Sequence, residues 1–300
     1  MKASELLTHY ENGERNFKGV DLSGVNLSGA ILIGVNLSGA NLSAANLSRA
    51  FLTKAELSEA CLHRANLSFA KMGEIRLADA DLTKSNLSGA FLVKSKLPRA
   101  KLSGAKLIGA NLRNAILWNA NLSSTDLDSI NLRSANLMGA NLNWANLQSA
   151  RLSGAKLFGA QLTGISLKKA HLNGIDLGGA DLNGVNLSEA KLNGVNLEGS
   201  NLIGANFCGA QLRSVKLMGA DLTRANLIQA SLTQANLNWA RLSQADLSEA
   251  DLSEATLIGT NFDGAQLAGA KMPESTRRYF CLTAGNFPVG QISETIALAT

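Results

Sequence analysis

Apolar residues recur along this chain with a period of five. From Phe17 to Met272 every fifth residue is Leu, Phe or Met, which makes (272 − 17)/5 + 1 = 52 repeats, and 47 of these central residues are Leu. The residue two places before the centre is small, and it is Ala in 36 repeats. Asn or Asp often precedes the centre, and Gly is frequent two places after it. The register never shifts between residues 15 and 274, so one architecture without a linker is predicted.

A period of five excludes the two regular secondary structures. An α-helix turns about 100° per residue, so leucines five apart would scatter around its surface. A strand alternates its faces, so every second leucine would point to water. The pattern instead fits a chain that bends after each five-residue unit, with the centre and the small residue inward and Gly near the bend. This predicts an all-β solenoid, and periodicity alone allows either three-sided or four-sided coils.

Units such as VDLSG and VNLSG resemble the pentapeptide-repeat family, and the resemblance covers residues 15–274. The opening LLTHYENGERNFKGVDLSG and the closing AKMPES are similar to cyanobacterial members. The resemblance implies a right-handed, four-sided (quadrilateral) β-helix with four pentapeptides per coil. It therefore implies 52/4 = 13 coils, in which every fourth repeat lies above its predecessor on one face.

The segments that flank the repeats are expected to cover the ends of the solenoid. Residues 1–14 are predicted to form a short helical cap, because an exposed solenoid end invites edge-to-edge association. Residues 275–300 form a C-terminal tail or cap that is rich in aromatic residues for this chain, with Tyr279, Phe280 and Phe287. The tail could instead form an end-to-end contact in a homodimer.

Composition indicates in which cellular compartment the protein resides, but it says less about the function. Aromatic residues are 5% of the chain, so the core must be aliphatic, and the formal charge is +5. The three cysteines are far apart and form no CxxC pair, which suggests a reducing compartment. We find no signal peptide and no apolar run long enough to span a bilayer. A cytoplasmic protein is therefore expected.

The sequence contains no recognisable catalytic or metal-binding constellation. His9, His63 and His171 fall in unrelated coils, and no nucleophile or metal-ligand pattern accompanies them in the sequence. The carboxylates near residues 246–254 match no calcium-loop pattern, and no GxGxxG or Walker motif is present. We therefore expect no catalytic residues, no cofactor, no metal and no enzymatic activity.

One predicted face of the solenoid carries most of the net charge. Its central positions are residues 32, 52, 92, 112 and their successors, and its formal sum is about +5. The basic residues of this face are Lys54, Lys71, Lys94, Arg113, Arg133, Arg151, Lys191 and Arg213. Such a face could receive an acidic partner or phosphates. Nucleic acid is the less favoured ligand, because no aromatic stacking pattern accompanies the charges.

A second predicted surface is apolar. Trp118 follows its central leucine and should point outward, and Met138 and Phe158 occupy the same position one and two coils later. We call these three residues the apolar ladder. Met218 and Trp239 lie farther along the same face, while Phe51 and Phe91 beside the basic residues form a weaker candidate. Aromatic residues and Met are enriched in the cores of protein interfaces, so the ladder is a candidate partner-binding site.

These observations favour a non-enzymatic binding, scaffold or regulatory protein that presents a rigid rod surface to a protein partner. The alternative implied by the family is a DNA mimic of the quinolone-resistance type, which interacts with DNA gyrase. That branch uses an acidic rod and projecting loops, whereas this chain is basic and its register admits no inserted loop. An ice-binding solenoid would need a regular Thr array, and the threonines here are scattered.

Overall fold

The computed structural model describes residues 1–274, and the chain divides into two compact units, residues 1–165 and residues 166 onward. The first unit begins with helix α1, Ala3–Glu11, in the segment where a helix is predicted. The carboxylate of Glu5 accepts a hydrogen bond from the backbone N–H of Lys2 at 3.0 Å, which satisfies one free amide at the helix start.

Helix α1 packs against the first repeats through its apolar and aromatic residues. Leu6 is fully buried, and the hydroxyl of Tyr10 donates a hydrogen bond to the carbonyl of Ile33 at 3.0 Å. The guanidinium of Arg15 lies 3.8 Å from the centre of the Tyr10 ring, within the range of a cation–π contact. These contacts attach the helix to the repeats that follow it.

The rest of each unit is built from parallel bridges between corresponding residues of successive coils. In the first unit the bridges run from Asn16–Asn36 to Asn141–Gln161, and in the second from Ser166–Asn186 to Asp251–Lys271. Each bridge joins a repeat to the fourth repeat after it, so each coil has four sides. The three-sided coil that the period of five allowed is therefore excluded.

Every backbone amide of a typical repeat has an acceptor, as repeat 40–44 illustrates. The N–H of Ala40 closes a turn on Leu37 at 3.0 Å, and that of Ser43 donates to the side chain of Asn41 at 3.1 Å. The other three amides donate to the neighbouring coils: Asn41 to Val20, Leu42 to Cys61, and Ala44 to His63. Complete pairing of this kind is what buried backbone requires.

The turn explains why Gly is frequent two places after the centre. That residue has a positive φ throughout the repeats, for example +64° at Gly39 and +56° at Ala44. A positive φ at the third residue is the signature of a type II turn, in which Gly carries no steric cost. Other residue types do occupy the position, so the stack of coils holds them in a conformation that they otherwise avoid.

The frequent Asn or Asp before the centre has a specific role. Its side-chain oxygen accepts the backbone N–H two residues later, as Asp21 does from Ser23 at 3.0 Å and Asn66 does from Ser68 at 3.1 Å. This is an Asx turn, and it satisfies the one amide that is bonded neither within the turn nor to the backbone of the neighbouring coils. Many of these side chains also bond to each other between coils, as Asn46 does to Asn26 at 3.1 Å.

The core confirms the predicted division into inward and outward positions. The central leucines and the alanines two places before them are buried through both units, for example Leu107 and Ala110 at 0% exposure. Each buried Leu contributes roughly 1.5–3 kcal/mol to folding. In the last described repeats Leu257, Leu267 and Met272 are only half-buried. The outward positions are thus free to carry function.

Candidate docking surfaces

The backbone holds the apolar ladder in register within the first unit. The amide of Asn119, next to Trp118, donates to the carbonyl of Met138 at 2.9 Å. The amide of Gly139 in turn donates to the carbonyl of Phe158 at 3.0 Å. The three ladder residues therefore occupy the same position in three consecutive coils, as the sequence predicts.

The side chains of the apolar ladder become more exposed toward its C-terminal end. Met138 is 39% exposed and Phe158 is 82% exposed, whereas Trp118 is only half exposed. Trp118 is shielded by Arg99, whose guanidinium lies 5.0 Å from the ring centre. The freely accessible part of the ladder is therefore Met138 and Phe158, and Trp118 forms its boundary.

Arg99 is itself held by a carboxylate one coil earlier. Its Nε atom donates to Oδ1 of Asp79 at 2.7 Å, and a second guanidinium nitrogen bonds the other carboxylate oxygen. The hydrogen bonds from Arg99 hold the pKa of Asp79 below its ordinary value. Asp79, Arg99, Trp118, Met138 and Phe158 thus lie on five consecutive coils, with a charged end and an apolar end.

The second unit has its own exposed apolar group. Met218 is 43% exposed and Trp239 is 65% exposed, as predicted outward residues should be. Ile258, 66% exposed, was not singled out from the sequence, although its carbonyl accepts the amide of Trp239 at 2.8 Å. It occupies the position of Met218 two coils later. The stacking of every fourth repeat therefore already predicts that it lies on the same face.

The basic residues of the first unit point outward. Lys54, Lys71, Lys94, Arg113, Arg133 and Arg151 are all exposed. In the second unit Arg213 is exposed, while Lys191 is half-buried. The predicted basic face is therefore accessible, and most clearly so in the first unit.

Three exposed aromatic residues, Trp239 and two that the sequence did not single out, share a packing arrangement that was not predicted. Phe69, Trp144 and Trp239 all have positive φ, and each ring lies over the glycine one coil later. A Cβ atom placed on Gly89, Gly164 or Gly259 would come within 2.3–2.5 Å of the ring. The signal in the sequence is an aromatic residue followed by Gly at the same position four repeats later.

No group of three or more His, Cys, Asp or Glu residues within residues 1–274 is arranged to hold a metal ion. Over the same residues, no helix is long and apolar enough to cross a membrane. Cys61 and Cys208 are free thiols, and His9 contacts Glu14 at 3.0 Å. The predicted dimer contact through residues 275–300 lies outside the described residues.

The family model for pentapeptide repeats matches the chain in eight copies. The copies cover residues 21–59, 60–97, 95–133, 125–164, 135–174, 160–199, 196–234 and 235–272. Together they leave no gap between residues 21 and 272, which is well over half of the chain. Among curated proteins, none matches the chain.

Solved structures include similar repeat proteins. HetL from the cyanobacterium Nostoc, a pentapeptide repeat protein involved in heterocyst differentiation regulation, is 31% identical, with 91% of this chain and 98% of HetL covered and a TM-score of 0.21. Rfr23 from the cyanobacterium Cyanothece is 28% identical, with 54% and 94% covered and a TM-score of 0.16. QnrB1, a plasmid-mediated fluoroquinolone resistance protein, is 20% identical, with 78% and 97% covered and a TM-score of 0.29. These TM-scores are low, so the family assignment rests on the family model.

Proposed function

The chain belongs to the pentapeptide-repeat family, and from that premise we propose that it is a non-enzymatic binding protein that presents a docking surface to a protein partner. Family membership implies a right-handed, four-sided β-helix, with which the parallel bridges between every fourth repeat agree. The count of thirteen coils and the cytoplasmic location are carried in this proposal as predictions from the sequence.

The observation that carries the proposal is the exposed pair Met138 and Phe158. The amide of Gly139, which follows Met138, donates to the carbonyl of Phe158, so the backbone holds the two side chains in adjacent coils. An aromatic side chain that is 82% exposed loses a large apolar area to a partner that covers it. A rigid support also reduces the entropy cost of binding, because little has to be ordered.

The proposal is tested by affinity capture from a cyanobacterial lysate. The wild type is compared with the double variant Met138→Ser/Phe158→Ser, and both are first shown to unfold at similar temperatures. The matched control is Phe69→Ser/Ile108→Ser, which removes an aromatic and an aliphatic residue, 56% and 40% exposed, from other positions on the surface. We expect the wild type and the control to capture a partner protein that the ladder variant does not capture.

Retention of the same proteins by all three baits would refute the ladder as a docking surface. Loss from both variants would indicate a general effect of surface hydrophobicity, which also contradicts the proposal. The gyrase-interacting DNA mimic gains no support, because the first unit exposes a row of cations rather than carboxylates. A supercoiling assay with purified gyrase distinguishes that alternative directly.

A further inference from the structure

The basic face of the first unit holds one cation on each of four consecutive coils without a counterion. These are Lys94, Arg113, Arg133 and Arg151, and none forms an ion pair with any residue in the described part of the chain. Between residues 90 and 154 the face contains no Asp or Glu. With coils spaced by about 4.8 Å, the like charges repel each other.

Three arginines elsewhere in the described chain pair with a carboxylate one coil away, and Arg99 with Asp79 is one of these pairs. Arg76 pairs with Glu56 at 3.5 Å, and Arg241 pairs with Asp221 at 3.6 Å. The same one-coil spacing would allow such a pair anywhere on the basic face. The four cations of the row lack such a partner, so they are available to an anionic group from outside the chain.

The row is adjacent to exposed apolar residues on the same face. Phe51 and Phe91 are each 42% exposed, and Lys71 is bridged to both of them. The ring of Phe91 lies over Gly73, where an added Cβ would be 3.6 Å from the ring. The face thus combines a strip of positive charge with an apolar surface at one end.

We propose that this face binds an acidic amphipathic helix of a partner protein. A helix that lies along the face presents one carboxylate per turn, or about one every 5.4 Å. The coils repeat about every 4.8 Å, so over four coils the mismatch is roughly 2 Å. The long Lys and Arg side chains absorb a difference of that size. Apolar residues at one end of the helix pack on Phe51 and Phe91.

A helix fits this surface better than a nucleic acid backbone does. Phosphates would use the cations but would leave Phe51 and Phe91 exposed. Stacking of bases on aromatic residues usually involves a series of rings, whereas here Lys71 separates the two phenylalanines. The combination of charge and apolar contact suits an amphipathic helix, which presents a polar and an apolar side together.

The test uses fluorescence polarisation with defined probes. The first probe is a labelled 18-residue helical peptide with one Glu per turn on one side and two Leu at one end. Its partner replaces each Glu by Gln, and the third probe is a single-stranded oligonucleotide of 12 nucleotides. Each is titrated with the full-length protein at about 50 and 200 mM salt, because screening separates charge from apolar contact.

Two charge-reversed variants with equal net charge complete the design. The first is Arg113→Glu/Arg133→Glu/Arg151→Glu on the basic face. The second is Lys96→Glu/Lys101→Glu/Lys106→Glu, which reverses three exposed cations that lie on three different faces. Both variants lower the charge by six, and both are first checked by thermal unfolding.

We expect the wild type to bind the Glu peptide at least about tenfold more tightly than the Gln peptide, and to lose that preference as salt increases. The basic-face variant should weaken binding about tenfold or more, while the control stays within about threefold. Equal binding of the two peptides, or equal loss in the two variants, would overturn the proposal. Tighter binding of the oligonucleotide with the same dependence on Arg113 and its neighbours would also overturn it, in favour of a phosphate ligand.

This inference goes beyond the proposed function because it concerns another face and a partner of stated chemistry. The capture experiment changes Met138 and Phe158, whereas the peptide experiment changes only cations of the basic face. Either result can therefore fail while the other stands.

Discussion

A few serines replace alanine in the core, and their hydroxyl groups differ in whether they form a hydrogen bond. The hydroxyl of Ser85 donates to the carbonyl of Leu82 at 2.6 Å, and that of Ser200 donates to Leu197 at 2.7 Å. Ser95 is equally buried, but its hydroxyl has no hydrogen-bond partner among the described residues. A buried hydroxyl without a partner has lost water and gained nothing, so Ser95 weakens the core.

We predict that Ser95→Ala stabilises the protein by about 1 kcal/mol, since it removes an unpaired buried hydroxyl. Alanine is the commonest residue at this position of the repeat, so the core needs no rearrangement. Ser85→Ala is the control, and it should be neutral or destabilising because it deletes a formed hydrogen bond. Chemical denaturation of both variants checks the prediction. Equal effects at the two serines would contradict it.

The glycine beneath Trp144 provides a second test at single-residue scale. Gly164 has a φ of +66° and Gly109 one of +64°, so Ala is strained equally at both sites. Only at Gly164 would the new Cβ meet an indole ring, 2.3 Å away, while Gly109 has nothing within 4 Å. We predict that Gly164→Ala costs at least about 1 kcal/mol more than Gly109→Ala.

A double-mutant cycle isolates the contribution of the ring. In a Trp144→Ala background the extra cost of Gly164→Ala should disappear, leaving only the strain of a positive φ. Denaturant unfolding of the four proteins of the cycle measures it. If Gly164→Ala costs the same with and without the indole ring, the packing of Trp144 over Gly164 is wrong.

Some repeats lack an Asx turn, and in these an Asn side chain of the preceding coil accepts the hydrogen bond from the exposed amide instead. Four repeats of this kind have no Asn or Asp before the centre, and their exposed amides still have acceptors. The donors and acceptors are Thr163 to Asn143, Asn193 to Asn173, Arg213 to Asn193, and Ile258 to Asn238, at 2.9–3.1 Å. The repeat therefore has two ways to satisfy one amide.

Because one amide has two possible acceptors, a second mutation can restore the hydrogen bond that a first mutation removes. Asn143→Ala removes the acceptor of the Thr163 amide and should destabilise the first unit by about 0.5–1.5 kcal/mol. Adding Gln161→Asn places an Asx acceptor inside the same repeat and should restore most of that loss. Denaturant unfolding of the single and double variants checks this. If Asn143→Ala costs nothing, water serves the amide adequately; if Gln161→Asn fails to recover the loss, the loss does not come from this amide.

The repeat also shows what could be read from the sequence. The inward Leu and Ala positions follow from the period alone, because only a bend every five residues places them together. The prevalence of Asn and Asp before the centre was equally visible, but its cause is a hydrogen bond between residues two apart in a turn that the period does not define. Likewise, the role of Asn143 depends on the coil geometry, which brings it next to a repeat that lies a full coil later.

For the molecule as a whole, the sequence predicts which residues share a face, but it does not predict how accessible their side chains are. Stacking of every fourth repeat places Trp118, Met138 and Phe158 in one row and the cations in another. It does not reveal that Arg99, from the previous coil, lies against Trp118 and reduces its exposure. The direction in which a long side chain leans depends on ion pairs such as Arg99 with Asp79, which periodicity cannot specify.

Acid stability is a property of the whole molecule, because the Asx carboxylates are distributed along it. Burial works against the charged form of Asp81, Asp221 and Asp251. Hydrogen bonds from the residue two places later, such as Thr83 to Asp81 at 2.9 Å, nevertheless leave the pKa of each carboxyl lowered. Nearby cations act in the same direction, and His63 and Lys101 do so at Asp81.

A lowered pKa in the folded state stabilises the protein above the unfolded value of about 3.9, and this contribution is lost as the pH falls through the folded pKa. We predict that Asp81→Asn/Asp221→Asn/Asp251→Asn flattens the loss of stability that sets in as the pH falls below about 5. Asn keeps the side-chain oxygen that accepts the amide, so stability at neutral pH should fall by no more than about 1 kcal/mol. Unfolding free energies across this pH range check the prediction, and an unchanged pH dependence would show that these carboxylates do not control acid unfolding.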